Sequence, residues 1–381
     1  MIADVWRAAC VGALVGLGWA SPGHGLARPD ADAAHSRPKA SQRGPTEDLT
    51  LTFVGDVVLG EYVRDRHRSF AGPQAPGPAF EGVATLLQSD VVVGNLESPV
   101  MSTIPSVSPL RWGHRFGAAR PTVQALASAG FSAVSLANNH ANDLGRAGLE
   151  QGPALLRDHG VVPVGAARRD GSPFVVQTLE AKGWRIGLLA ATTWLNHQPQ
   201  PDEPTVPVVR LAELASVLGP VVEQARDDHD LMVVLLHWGR EGKERPDDAQ
   251  RAAAHDLVDA GADLVIGHHP HVLQGVEHYR GALIAYSLGN FLFPARRPEY
   301  RRSAVLRVDV SAGSSCIRAA TVHAIALEGG PGHAPKVARG TRRRSVHDRM
   351  RRLGRSLLTP LRRDDDDLVW TSPGCPDAAP P

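Results

Sequence analysis

The chain has 381 residues, of which 43% are hydrophobic and 21% charged, with a formal net charge of +1. Length and apolar content suffice for one large α/β domain with tails, and the near-zero charge removes any whole-chain case for nucleic-acid binding. The three cysteines, Cys10, Cys316 and Cys375, follow no zinc or redox spacing. Cys10 falls in an apolar leader, which leaves Cys316 and Cys375 as one candidate disulfide if the protein is exported.

Residues 1–27 read as a signal peptide. Arg7 precedes an apolar run from Ala8 to Ala20, and Gly25-Leu26-Ala27 offers small residues at a cleavage site. The run is short for a membrane-spanning helix, so an uncleaved anchor is the alternative reading. Residues 28–48 are rich in Pro, Ala and Arg without periodicity and are expected to form a disordered linker. The folded domain is expected over residues 49–328. Its predicted strands are Leu49 to Val54, Val91 to Val93, Ala133 to Leu136, Arg185 to Thr192, Leu231 to Leu236, the apolar run ending at Ile266, Leu283 to Leu288 and Ala304 to Val310. Predicted helices lie between Pro121 and Gly130, near Gly148 to His159, around Leu211 to Arg226, and from Pro246 to Ala260. Strand and helix alternating at this spacing predict βαβ units and a largely parallel sheet.

Residues 329–381 are expected to be a basic helix and a disordered tail. From Arg342 to Leu358 the chain is basic, with Val346, Met350, Leu353 and Leu357 at near-helical spacing. Such a helix either packs its apolar stripe on the domain or touches an anionic membrane surface or polymer.

The most informative stretch is Gly267-His268-His269-Pro270-His271, which follows an apolar strand. Pro270 fixes one φ angle between His269 and His271, so two imidazoles stand on a stiffened turn. Imidazoles suit zinc, manganese or iron better than calcium, which prefers oxygen. A polar turn with solvated histidines is the alternative for this stretch taken alone. Other polar residues repeat the pattern: Asp56, Glu97, Asn139 with His140, and His237 each follow a predicted strand directly. In a parallel sheet those ends share one edge, so the residues would converge on one crevice. Two carboxylates, an amide and several imidazoles form a shell for one or two divalent transition-metal ions, with Asp56 or Glu97 able to bridge a pair.

Six blocks then carry a resemblance. They are Phe53 to Gly60 (FVGDVVLG), Gly94 to Pro99 (GNLESP), Leu136 to Gly145 (LANNHANDLG), His237 to Glu241 (HWGRE), Gly267 to Gln274 (GHHPHVLQ) and Tyr286 to Phe291 (YSLGNF). In this order they resemble the CapA family, associated with capsule and poly-γ-glutamate synthesis and related to calcineurin-like metallophosphoesterases. The resemblance implies a metallophosphoesterase-like α/β/β/α sandwich with its metal site at strand C-terminal ends. It implies Asp56 as the first metal aspartate, Glu97 as the bridging acid, Asn139 on the second metal, and His237, His269 and His271 completing the ligands. His140 would act as acid or electrostatic stabiliser. Asn138, His268 and Asn290 would stand behind the ligands or on the substrate, Glu241 likewise, and Trp238 would be a pocket wall. The Asp-x-His form of many phosphoesterases is absent, with Val58 where the His would be, which leaves one metal as an alternative to two.

These features together predict an exported, metal-dependent hydrolase-like protein of capsule or cell-envelope polymer metabolism. Its partner would be an anionic polymer or peptide substrate, and His140 would protonate the leaving group. A metal-dependent peptide epimerase and a non-catalytic polymer-binding or transport accessory are the two alternatives on the same site.

Overall fold

The computed structural model describes residues 45–62, 67–68, 79–104, 115–166, 174–199, 203–295, 297–327 and 334–376. The predicted leader and most of the predicted linker lie outside them.

Two sheets pack face to face. In the larger, Leu49–Val57, Val91–Leu96, Ala133–Ser135 and Val162–Val164 run parallel, and Arg302–Val310 and Ile317–Leu327 extend the other edge antiparallel. In the smaller, Trp184–Thr192, Leu231–His237, Leu264–His268 and Ala282–Leu288 run parallel, flanked by antiparallel Gln177–Ala181 and Leu273–Tyr279. The expectation of a largely parallel sheet therefore holds for one half of the larger sheet, out to its Val162–Val164 edge, and for the centre of the smaller, while the remaining strands are antiparallel.

The layering follows from period-two side-chain alternation with both faces buried. Leu49, Leu51 and Phe53 join Ile186, Leu188, Leu231, Val233 and Leu235 in one core between the sheets. Val54, and Val57 beyond the register shift between Phe53 and Asp56, face the opposite way, onto the helices Arg120–Ser128 and Gly145–Asp158 through Val123, Leu126, Leu155 and Leu156. Leu189, Ala191, Val234 and Leu236 likewise face the helices Leu214–Arg226 and Asp248–Asp259. The result is the expected α/β/β/α sandwich. Helix Asp248–Asp259 begins two residues later than predicted, because Asp247 and Gln250 close a capping box.

The two sheets are joined beside the crevice by one chain crossing. Ala282–Leu288 belongs to the smaller sheet, and Asn290–Leu292 pairs with Leu49–Val57 in the larger. Gly289 makes the turn between them at φ +71°, and its carbonyl accepts from Asp56 N at 2.9 Å. A Cβ on Gly55 would meet that carbonyl oxygen at 1.9 Å, so the close approach excludes a side chain there.

The C-terminal region departs from expectation. Pro335–Val337 and Asp367–Thr371 pair with Ile317–Leu327, and Arg362–Asp364 adds a further strand. Residues 335–371 therefore extend the larger sheet, correcting the domain limit at 328 and the disorder expected over Asp364 to Asp367. Helix Gly340–Ser356 buries Val346, Met350 and Leu353, so its apolar stripe packs on the domain. Cys375 is bonded to Cys316, anchoring part of the tail expected to be disordered. The last linker residues are also tied down: Glu47 O accepts from Trp184 Nε1 at 2.8 Å, and Asp48 pairs with Arg318. Short alternating strands and a sheet-edge hairpin give little sequence signal beside their charged neighbours, and partners distant in sequence create them.

Candidate metal centre

Strand pairing brings the dispersed candidates together. Asp56 lies beside Asn95 in the register between Leu49–Val57 and Val91–Leu96, and beside Asn290 on its other side. His237 pairs with His268 at the matching edge of the smaller sheet. Asp56, Glu97, Asn139, His237, His269 and His271 are all buried. One oxygen or nitrogen each from Asp56, Glu97 and His271 lies within 4.8 Å of the others, and so do atoms of Glu241, His269 and His271. His237 Nε2 and His271 Nε2 both stand 3.8 Å from Glu97 Oε1, and the rings of His237 and His269 are 4.7 Å apart.

The polar atoms here are incompletely partnered. Among the described residues, both Glu97 carboxylate oxygens, His237 Nε2, His269 Nδ1 and Asn139 Oδ1 are buried without a hydrogen-bond partner. Each such group costs about 1–3 kcal/mol of desolvation, and a charged one more. An apolar core would not collect five of them at the matching edges of two packed sheets. A carboxylate, two imidazoles and an amide oxygen are the donor set of a divalent transition metal, so the residues fit one. Backbone strain points the same way: His269 at φ 94° and His271 at φ 56° occupy the left-handed region on either side of Pro270.

Supporting residues orient the candidate ligands. His271 Nδ1 donates toward Asp56 Oδ2 (3.0 Å) and Asn290 Oδ1 (2.8 Å), which turns Nε2 toward Glu97. Asn290 Nδ2 in turn donates to Tyr300 O at 3.0 Å. Asn95 donates to Asp56 Oδ1 at 2.9 Å and accepts from Asn138, whose Oδ1 also accepts from His140 N. His268 points away from the cluster, its Nε2 on Val54 O at 3.2 Å.

Electrostatics follow from burial. Desolvation lifts the Glu97 carboxyl well above the usual carboxylate range. It holds His237 well below the usual imidazole value and His269 at about 3, where neighbouring imidazoles add to the effect. Burial alone would lower His271 too, but the Glu97 and Asp56 carboxylates override it and raise the ring to about 9.

His140 stands beside this cluster, its Nδ1 2.6 Å from Asp143 Oδ2 and its Nε2 3.2 Å from Asn196 Nδ2. Asp143 is fully buried and also accepts from Phe116 N at 2.8 Å. Asn139 donates to Asn196 Oδ1 at 3.2 Å.

Two sequence assignments change. Trp238 is not a pocket wall: it is fully buried, stacks on Tyr286 and donates to its carbonyl at 3.1 Å. The indole lies against Gly267, where a Cβ would meet Nε1 at 2.4 Å. Trp194 takes the exposed place instead, 43% exposed with its ring 5.2 Å from that of His269. Glu241 is exposed yet shares a cluster with His269 and His271, so it can reach a cation or a substrate. Val58 is buried at the position of the missing His and offers no donor. Sequence reading passed over Asn95, Asp143, Trp194 and Asn196. Asp143 lay three residues past His140 in a block already singled out, and Trp194 and Asn196 closely follow a predicted strand, where the other site residues fall.

Residues 50–295 match the family of bacterial capsule synthesis proteins described as PGA_cap. The chain is 34% identical over 257 residues to the capsule biosynthesis protein CapA of Bacillus anthracis, covering 65% of this chain and 60% of that protein's length. It is 31% identical over 262 residues to the PGA biosynthesis protein CapA of Bacillus subtilis, covering 68% and 67%. Among solved structures it is similar to a hypothetical protein from Thermus thermophilus, with 19% identity, a TM-score of 0.43, and coverage of 70% of this chain and 96% of that one. The match takes in every candidate metal ligand from Asp56 to His271, and on that span the chain belongs to the CapA family of bacterial capsule synthesis proteins.

Proposed function

We propose that the chain is an exported, metal-dependent hydrolase acting on an ester or amide of a capsule-type, polyglutamate-like polymer. One observation carries this reading: five partnerless buried donor atoms from four separate segments meet beside a histidine paired to a buried aspartate. A purely structural metal site is closed by its ligands and has no use for an adjacent proton carrier. Asp56, Glu97, Asn139, His237, His269 and His271 would hold one or two ions of Mn, Fe or Zn. When bound, such an ion supplies Lewis acidity at the scissile group. Asp143 fixes the His140 ring through Nδ1, and Nε2, which here accepts from Asn196 Nδ2, is the nitrogen that would carry a proton to the leaving group once a substrate displaces that amide. Trp194 offers an apolar edge at the mouth for the chain of the substrate. The polymer assignment draws on the relatives, among them a probable polyglutamine synthesis accessory protein of Mycobacterium tuberculosis, 32% identical over 171 residues. Export is supported by the apolar leader and by the Cys316–Cys375 disulfide, which suits an oxidising compartment.

The test joins metal content to turnover. Protein purified with Mn, Fe or Zn should hold the ion and cleave a γ-glutamyl amide or a phosphoester, and His269→Ala and His271→Ala should lose metal and turnover together. Deuterium uptake without cleavage would replace hydrolysis by epimerisation. Polymer binding with neither would leave an accessory role. Mature protein should begin near Arg28 outside the cytoplasm; an intact leader on cytoplasmic protein would remove export.

A further inference from the structure

Helix Gly340–Ser356 forms one wall of an open cleft of about 390 Å³ lined by Glu244, Arg302, Arg344, Asp348, Arg349 and Arg352. A second cavity of about 280 Å³ shares Arg302, Thr341 and Ser345 with it and adds Arg301 and Arg342. Arginines outnumber acids in both. Of the two acids in the first, Glu244 is already paired to Arg349 at 2.5 Å. Arg349 is only 3% exposed; its Nε donates to Leu273 O at 2.9 Å, and its Nη2 is buried without a partner. Burial disfavours the charge on Arg349, and Arg302 and Arg352 crowd it further. Glu244 answers one side of this guanidinium, but Nη2 keeps a buried donor to spare, and with Arg302 and Arg352 beside it the lining carries more positive charge than its acids balance.

The cavity is joined to the metal centre through short lengths of chain. Leu273 follows His271 by two residues, and Glu244 follows Glu241 by three. The same loop is pinned by Gly242 N on Pro270 O at 2.9 Å and by Gln274 Nε2 on Lys243 O at 3.0 Å. On the other side, Asn290 holds both His271 and Tyr300 O, two residues before Arg302.

From this we infer that the arginine-lined cleft along helix Gly340–Ser356 is a secondary binding site for a carboxylate-rich polymer, holding a segment of the chain whose bond lies at the candidate metal centre. The inference rests on the proposed function for the identity of the polymer, and on the cavity for the site. Guanidinium forks match carboxylates two bonds at a time, and a polymer with one carboxylate per residue can meet several arginines at once. A membrane surface fits less well. An interfacial helix needs an open apolar face, whereas Val346, Met350, Leu353 and Leu357 are each at most 4% exposed, and Leu358 alone stands out at 91%.

The experiment measures binding of fluorescently labelled poly-γ-glutamate to the full metal-loaded chain by anisotropy, at fixed low salt. Arg344 and Arg352 are exposed, so R344Q/R352Q should keep its melting temperature and metal content. Its dissociation constant should rise by about tenfold or more, the expected loss of two charge-assisted contacts. R344K/R352K should recover part of the affinity. If the double glutamine variant proves unstable, R344E alone must show the same loss. Equal affinity of variant and parent, or no polymer binding by the parent, overturns the inference. So does a loss seen only with phosphatidylglycerol vesicles, which would make the patch a membrane contact. Metal-dependent turnover of short substrates by the parent tests the hydrolase reading separately, so either can fail without the other.

Discussion

Glu97→Gln separates a metal-bridging carboxylate from an ordinary buried acid. Glu97 is fully buried, neither oxygen has a partner, and the nearest imidazole nitrogens are 3.8 Å away. With the metal chelated, this side chain is a liability, because its raised pKa makes folded-state stability fall as pH climbs past the ordinary glutamate value. Gln keeps the shape and removes the charge, so chelated Glu97→Gln should be at least as stable as the chelated parent at pH 8. Metal reverses the order. At a free concentration a hundredfold above its dissociation constant, an ion that binds only the folded chain stabilises by ~2.7 kcal/mol. For a domain of this size that corresponds to a rise of roughly 4 °C in melting temperature. The parent should show this rise with Mn or Zn, and Glu97→Gln should show little of it. Scanning calorimetry of both proteins, with chelator and with metal, gives all four values. A variant that loses several degrees in chelator yet gains the same rise from metal would refute the bridging role.

Further outcomes follow from the same geometry. His140→Ala should keep metal content and fold while turnover falls by ~10²–10⁴-fold; Asp143→Asn should fall less and shift the pH profile, and full activity per folded molecule would remove the pair from the mechanism. With metal chelated, stability should peak near neutral pH. His271, raised to about 9, stabilises fully below pH 6.5, and up to ~3 kcal/mol is lost as pH rises toward 9. His269, lowered to about 3, and His237, also lowered, act oppositely, so stability falls as pH drops below 6.5; a flat denaturation profile across this range would contradict the assignment. The Cys316–Cys375 bond spans 59 residues, so Cys375→Ser should lose about 4 kcal/mol in chemical denaturation. No loss would mean that the unfolded chain is not restrained by it.

The sequence alone determined the parallel strands of each sheet and the placement of ligand-type residues at strand ends. Apolar runs such as Leu231 to Leu236 can be buried only on both faces, and a polar residue such as His237 that ends one must lie at the sheet edge. That reasoning needs only local periodicity. It also placed Asp56, Glu97 and Asn139, and separately His237, His269 and His271, at C-terminal strand ends; that these lie on two sheets whose packing joins the two edges in one crevice was decided by the tertiary structure. Which atoms meet there was a matter for the tertiary structure. Trp238 and Trp194 both follow strands, yet one is locked under Tyr286 and the other stands over His269, because neighbouring strands set the direction of each ring. Asp143 and Asn196 acquire their roles only through contact with His140. The region after residue 328 was least legible. Its strands exist because Ile317–Leu327 offers unpaired backbone along its length, and its arginines line a cavity only because the apolar stripe of Gly340–Ser356 fixes which way they face. Long-range pairing of this kind leaves no period in the sequence to read.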